Sequence, residues 1–118
     1  MRKSAALLII STLLIASPVY ALSLKFQNNS SWEIHELYFS PTDEQEWGPD
    51  QLADEIIEAK GVFTLTKIPK GNYDVKIVDE DGDECVIADV NFTSSEHFVL
   101  NDKLLIGCQV QTAEDEEE

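Results

Sequence analysis

The pair Asp81-Gly82, set between two runs of β-branched and apolar residues, constrains this chain more than any other feature of its sequence. Asp-Gly at that position is a strong hairpin signal, because a type I′ turn needs positive φ at both central residues. With the turn centred on this pair, Ile77 lies opposite Val86, Val75 opposite Ala88 and Tyr73 opposite Val90. All six are apolar and share one face, as side-chain alternation along a strand requires. The same register sets Asp74 opposite Asp89 on the other face, where like charges across a ladder repel. Lys76, simple hydration or a bound cation would each relieve them.

Other segments repeat the β signature. Leu22, Leu24 and Phe26 alternate with Ser23, Lys25 and Gln27, and Asn28 to Ser31 reads as a turn. Trp32 to Ser40 is aromatic and branched, and Val62 to Ile68 alternates before a Pro69-Lys70-Gly71-Asn72 turn. Between them Pro41 to Asp54 is a polar loop, with room for a helical turn within 49–59 ahead of Gly61. Phe98 to Leu100 and Lys103 to Val110 flank Asn101-Asp102 as a second hairpin. About seven short strands separated by turns predict an all-β fold, an antiparallel β-sandwich of Ig-like or C2-like type over residues 22–110.

The ends are different in kind. Met1, Arg2 and Lys3 precede an apolar run from Ala5 to Ala16, then Ser17, Pro18, Val19, Tyr20 and Ala21, with small residues at the positions a signal peptidase reads. This is the pattern of a signal peptide over 1–21, too short for a comfortable membrane span, and it predicts a periplasmic or secreted protein. Cleavage after Ala21 leaves six Lys, no Arg and 23 acids, a formal charge of −17 on 97 residues. Such a chain is badly suited to nucleic acid or anionic membranes, and its partner should be a cation, an unknown protein or a basic surface. Residues 111–118 end in Glu114, Asp115, Glu116, Glu117 and Glu118, and read as an acidic disordered tail. Both cysteines, Cys85 and Cys108, lie in the exported part, which predicts one disulfide or two buried thiols.

Chemistry is sparser. Asp79, Asp81 and Asp83 crowd one turn, and Asp43 and Asp50 occupy the earlier loop; these five carboxylates are candidate ligands for Ca²⁺, which wants several oxygens from flexible loops. The hairpin is not an EF-hand, whose glycine stands sixth and whose glutamate stands twelfth, whereas here counting from Asp79 gives Gly82 fourth and Val90 twelfth. His35 and His97 have no neighbours suggestive of a triad or zinc site, so no catalytic residue is assigned. Trp47 is either an aromatic anchor for a partner or a lid packed over the sandwich edge. Asn28-Asn29-Ser30-Ser31 and Asn91-Phe92-Thr93 contain glycosylation acceptors, relevant only in a eukaryote.

The order Asn28-Asn29-Ser30, Leu37-Tyr38, Ser40-Pro41, Trp47-Gly48-Pro49-Asp50 with Leu52, and Gly71-Asn72-Tyr73-Asp74 resembles a group of small exported bacterial proteins with a Trp-Gly-x-Asp loop and no established activity. The likeness covers most of residues 26–92. It implies a compact β-sandwich similar to C2 domains, with calcium among the aspartates of loops at one end. The cysteines and the acidic tail have no counterpart at matching positions in that group.

The expected function is therefore a non-enzymatic, exported and monomeric binding module with Ca²⁺ as its one candidate cofactor. The alternative is a structural or protein-interaction domain without metal, its acidity serving solubility or a basic partner. A carboxylate-dependent hydrolase is the third reading.

Overall fold

A computed structural model describes residues 21–116. The signal-peptide reading of 1–21 lies, Ala21 aside, outside the described residues. Among the described residues the fold is mostly β, with six strands in order: β1 (Leu22–Asn28), β2 (Ile34–Pro41), β3 (Val62–Ile68), β4 (Gly71–Asp79), β5 (Glu84–Phe92) and β6 (Glu96–Leu100). One helix follows, α1 (Asp102–Glu116). The strands form two three-stranded sheets, β3-β1-β6 and β2-β4-β5.

Pairing is antiparallel except between β1 and β6, which run parallel with Leu24 opposite Glu96 through to Asn28 opposite Leu100. An entirely antiparallel arrangement is thus corrected. Period-two alternation says which face of a strand is buried and is silent on the direction of its neighbour. Phe26 and Leu100 from the first sheet share one apolar cluster with Ile34, Leu37, Val75, Ile77 and Cys85 from the second. A second cluster joins Leu24, Ile68, Tyr73 and Phe92, with Phe39 stacked 4.4 Å from Tyr73.

The β4–β5 hairpin forms, with a different tip. Gly82 has φ 84° while Asp81 is not among the left-handed residues, and the Gly82 N–H donates to the Asp79 carbonyl at 3.0 Å. Residues 80–82 therefore make a three-residue loop, a type I turn ending in a left-handed glycine. One extra loop residue moves the pairing by one, so Ile77 faces Cys85 and Val75 faces Ile87. This slip turns Cys85 and Ile87 inward in place of Val86 and Ala88. A bulge on β5, with Asp89 at φ 57°, then restores the expected pairing of Tyr73 with Val90.

That bulge also answers the Asp74–Asp89 problem. The Asp74 carboxylate accepts from the Asp89 N–H at 2.8 Å and the Thr42 hydroxyl at 3.0 Å, while Asp89 accepts from the Asn72 amide at 2.8 Å. Lys76 is engaged elsewhere, 3.9 Å from Glu84.

The second predicted hairpin is replaced by α1. Asn101 caps it, accepting from the Leu104 N–H at 2.8 Å, and the stripe Leu105, Cys108, Gln109 and Thr112 faces the sheets at helical spacing. The helix continues from Gln111 to Glu116, where charge alone predicts a disordered tail. Its place is the outer edge of β5: the Val86 N–H donates to Thr112 Oγ1 at 2.8 Å, and a Cys85–Cys108 disulfide joins the two elements. A bridged pair of cysteines, rather than two thiols, is thus the observed state. No α-helix forms within 49–59; the segment makes turns closed by Leu52 and by Ile57, which exchanges two backbone bonds with Ile34 at 2.9 Å.

Candidate functional site

The hairpin tip is built around one buried carboxylate. Asp79, 3% exposed, ends β4; its Oδ1 accepts from the N–H groups of Asp81 at 2.9 Å and Asp83 at 3.1 Å. Its Oδ2 accepts from the side-chain amide of Gln109 on α1 at 2.7 Å. Asp79 thus folds the loop over itself and fastens it to the helix. The carboxylates of Asp79, Asp81 and Asp83 come within 4.8 Å of one another, with Asp81 and Asp83 exposed. Alternate residues 79, 81 and 83 on one tight loop give the spacing at which the first carboxylates of a calcium loop converge. Beside them Gly82, Asp83, Glu84, Gln109 and Ala113 line a polar notch between hairpin and helix.

The other two candidate ligands are elsewhere. Asp50 Oδ1 accepts from the Leu37 N–H at 2.9 Å and the Leu52 N–H at 3.0 Å, which sews its loop to the outer edge of β2. Asp43 lies beyond Pro41, which pairs with Tyr73, whereas Asp79 is level with Ile34 at the opposite end of β2. Seven strand steps separate those ends, about 23 Å at ~3.3 Å per residue. The two acidic loops do not share a pole.

Trp47 is half-buried against the outer face of the second sheet, 6.3 Å from the Tyr38 ring. The Lys76 ammonium sits 4.9 Å from the Tyr38 ring centroid and 5.4 Å from that of Trp47, a cation between two aromatic faces. Ser40 fastens the loop below by donating to the Glu46 carbonyl at 3.0 Å. Trp47 thus packs over the face of the sheet, rather than over its edge. Tyr38 donates to Glu36 at 2.5 Å, and that bond, with burial and the carboxylate charge behind it, pushes its pKa up to about 12. His35 lies 3.0 Å from Glu33, and His97 lies 2.9 Å from Gln27 on the outside of the first sheet.

Two features carried no recognisable signal in the sequence. Gln109 is an ordinary helix residue until the fold brings it to Asp79. The other is an apolar cavity of about 370 Å³ between the sheets, walled by Phe26, Phe39, Ile77, Ile87, Val90 and Phe98, with Asn91 and Glu96 among its polar lining. It depends on contacts between strands distant in sequence. No family model, curated protein or solved structure matches this chain.

Proposed function

We propose that this chain works after export, in the periplasm or outside the cell, as a non-enzymatic binding module whose cation-responsive element is the β4–β5 hairpin tip. The observation that supports this reading is the convergence of Asp79, Asp81 and Asp83 within 4.8 Å on a loop that is also fastened to α1. Ca²⁺ there would draw the exposed Asp81 and Asp83 toward Asp79 and neutralise charge that the loop otherwise leaves to water. Asp43 and Asp50 take no part in such a site. The Cys85–Cys108 disulfide suits an oxidising compartment. The finer architecture proposed is a two-layer, C2-like sandwich acting as a monomer, in line with the resemblance of its Trp-Gly-x-Asp loop.

Thermal melts of the mature chain in EDTA and in millimolar Ca²⁺ test the reading, because a ligand of the native state alone raises the midpoint by mass action. Asp81→Asn and Asp83→Asn should abolish the rise while leaving the EDTA midpoint near that of the parent. Asp79→Asn is a poor probe, since Asp79 also holds the turn. Equal midpoints in both buffers would remove Ca²⁺ and leave the second reading, a metal-free module for a basic partner. That reading is favoured by the scarcity of internal compensation: among the described residues one lysine–carboxylate pair occurs, Lys76–Glu84 at 3.9 Å, in a chain with 23 acids.

A further inference from the structure

Two three-stranded sheets have four outer edges, and three are visibly managed. The edge of β2 is covered by 50–57, through Gln51 N–H to the Leu37 carbonyl at 2.7 Å and the Ile34–Ile57 pair. The upper part of β5 is covered by α1, and its lower part is bent by the bulge at Asp89. In β3 the register shifts opposite Leu22 and Leu24, where Lys67 takes a left-handed φ of 59°. Bulges and covering segments are the usual ways in which proteins prevent a strand edge from accepting another chain.

The fourth edge is β6. It pairs with β1 over five residues without a register shift, and it is the last strand of its sheet. Among the described residues no backbone hydrogen bond joins it to anything on its other side. The inter-sheet cavity runs along this edge. Glu96, His97 and Phe98 are consecutive and all line it, so the strand itself forms a wall. Ile87 and Val90 across the gap, and Phe98 within it, are only half-buried.

We propose that this slot takes an extended segment of a partner protein, which adds as a fourth strand to the free edge of β6. Backbone groups of β6 supply the pairing, and alternate apolar side chains of the incoming segment fill the cavity over Phe98, Ile87 and Val90. The intervening side chains are basic. They are drawn to a chain whose formal charge is −15, while Glu96 shares the cavity-facing side of β6 with Phe98. The same charge opposes a second copy of this chain as the occupant. This inference is independent of Ca²⁺ at the hairpin tip, and its test is run in EDTA.

The probe is an end-blocked alternating Val–Lys peptide of ~9 residues, enough to span β6 with overhang. It is titrated into the ¹⁵N-labelled mature protein while amide shifts and hydrogen exchange are followed. Saturable shifts and slowed exchange confined to β6 and the cavity rim are expected, with affinity at least ~10-fold above that of a block peptide of equal composition. Peptides N-methylated at alternate residues, one set for each edge, keep charge and side chains; one of the two should lose binding. Val90→Lys, which sets a cation at the mouth, should weaken the parent peptide. Should that variant not fold, the N-methylated pair on the unaltered protein decides. Equal binding of block, alternating and both methylated peptides would overturn strand addition. Protection of β6 that rises with protein concentration alone would assign the slot to a second copy and overturn the basic occupant.

Discussion

Asn28 is completely buried, and its carboxamide is bonded on every side. Its Nδ2 donates to the carbonyls of Trp32 at 2.7 Å, Ile57 at 3.2 Å and Glu58 at 3.2 Å, and its Oδ1 accepts from the Ser30 N–H and hydroxyl at 3.0 and 2.6 Å. Its backbone meets Gly61 and Lys60, and a Cβ on Gly61 would stand 2.9 Å from the Glu58 carbonyl oxygen, so only glycine allows the chain to close there. One side chain thus joins the end of β1, the following turn and the approach to β3. Asn28→Ala would leave several buried groups unpaired, each costing ~1–3 kcal/mol. A loss of about 3 kcal/mol or more by urea denaturation is expected, against under ~1 kcal/mol for Asn29→Ala, which removes a half-exposed bond to Gln27. In sequence Asn28-Asn29-Ser30 reads as a polar turn, since propensity shows that a turn is favoured and not which amide the fold encloses. Tyr38 gives a second residue-scale expectation. Its folded pKa, about 12 against 10.0, means the native state holds the phenolic proton more tightly. The associated stability is complete below pH 10 and fades as pH rises from 10 toward 12. Glu36→Gln removes the main cause, so phenolate absorbance should then titrate closer to the ordinary tyrosine range.

At the level of elements, α1 shows where patterning misleads. Leu104, Ile106 and Val110 stand out in the sequence, yet they are 50%, 48% and 55% exposed. The side that docks is carried by Leu105, Cys108, Gln109 and Thr112, two of them polar residues that no apolar count would weigh. The strands β1, β3 and β4 were legible because one apolar face per strand is a local, period-two property. The three-residue tip and the Asp89 bulge were not, because Asp81-Gly82 serves either loop length and the choice depends on which of Cys85 and Val86 faces the core. Among the candidate ligands, Asp79, Asp81 and Asp83 were legible as neighbours in the chain, whereas bringing in Asp43 would have needed knowledge of which end of β2 faces the tip. The helix itself is ill favoured by electrostatics: its last turn contains acids and no base, opposed to the dipole. Its place along β5 therefore depends on the Thr112 bond, Leu105 and the disulfide, which closes a loop of 23 residues. Cys85→Ala with Cys108→Ala should cost about 3 kcal/mol in the chain-entropy model. Hydrogen exchange should show protection lost over 108–116 while β2 and β4 keep theirs; a helix as protected as the parent's would contradict this account.

Over the whole molecule, the parallel β1–β6 pair could not be read from sequence, because some 70 residues separate partners such as Leu24 and Glu96, and nothing local encodes their meeting. Charge is the property that was plain from the start, and the fold leaves most of it uncompensated. Lys76, the one lysine in an ion pair among the described residues, is 3.9 Å from Glu84 and shared with two aromatic rings, while acids such as Asp43, Glu44, Glu55 and Glu58 stand in water. Repulsion among exposed charges of one sign acts over the Debye length, which contracts from about 30 Å at 0.01 M salt to about 8 Å at 0.15 M. The unfolded chain is larger and suffers less of it, so salt should favour the native state. Relief of ~1 kcal/mol would raise the midpoint by about 4–8 °C for a domain of this size. Melts in EDTA with increasing NaCl should show that rise, and tetramethylammonium chloride should match it, since the effect needs ionic strength and no bound ion. Replacing Glu44, Glu55 and Glu58 by Lys should flatten the dependence by thinning the field at its source. A midpoint indifferent to salt would mean instead that the carboxylates are too far apart, across the faces of two sheets, to act on one another.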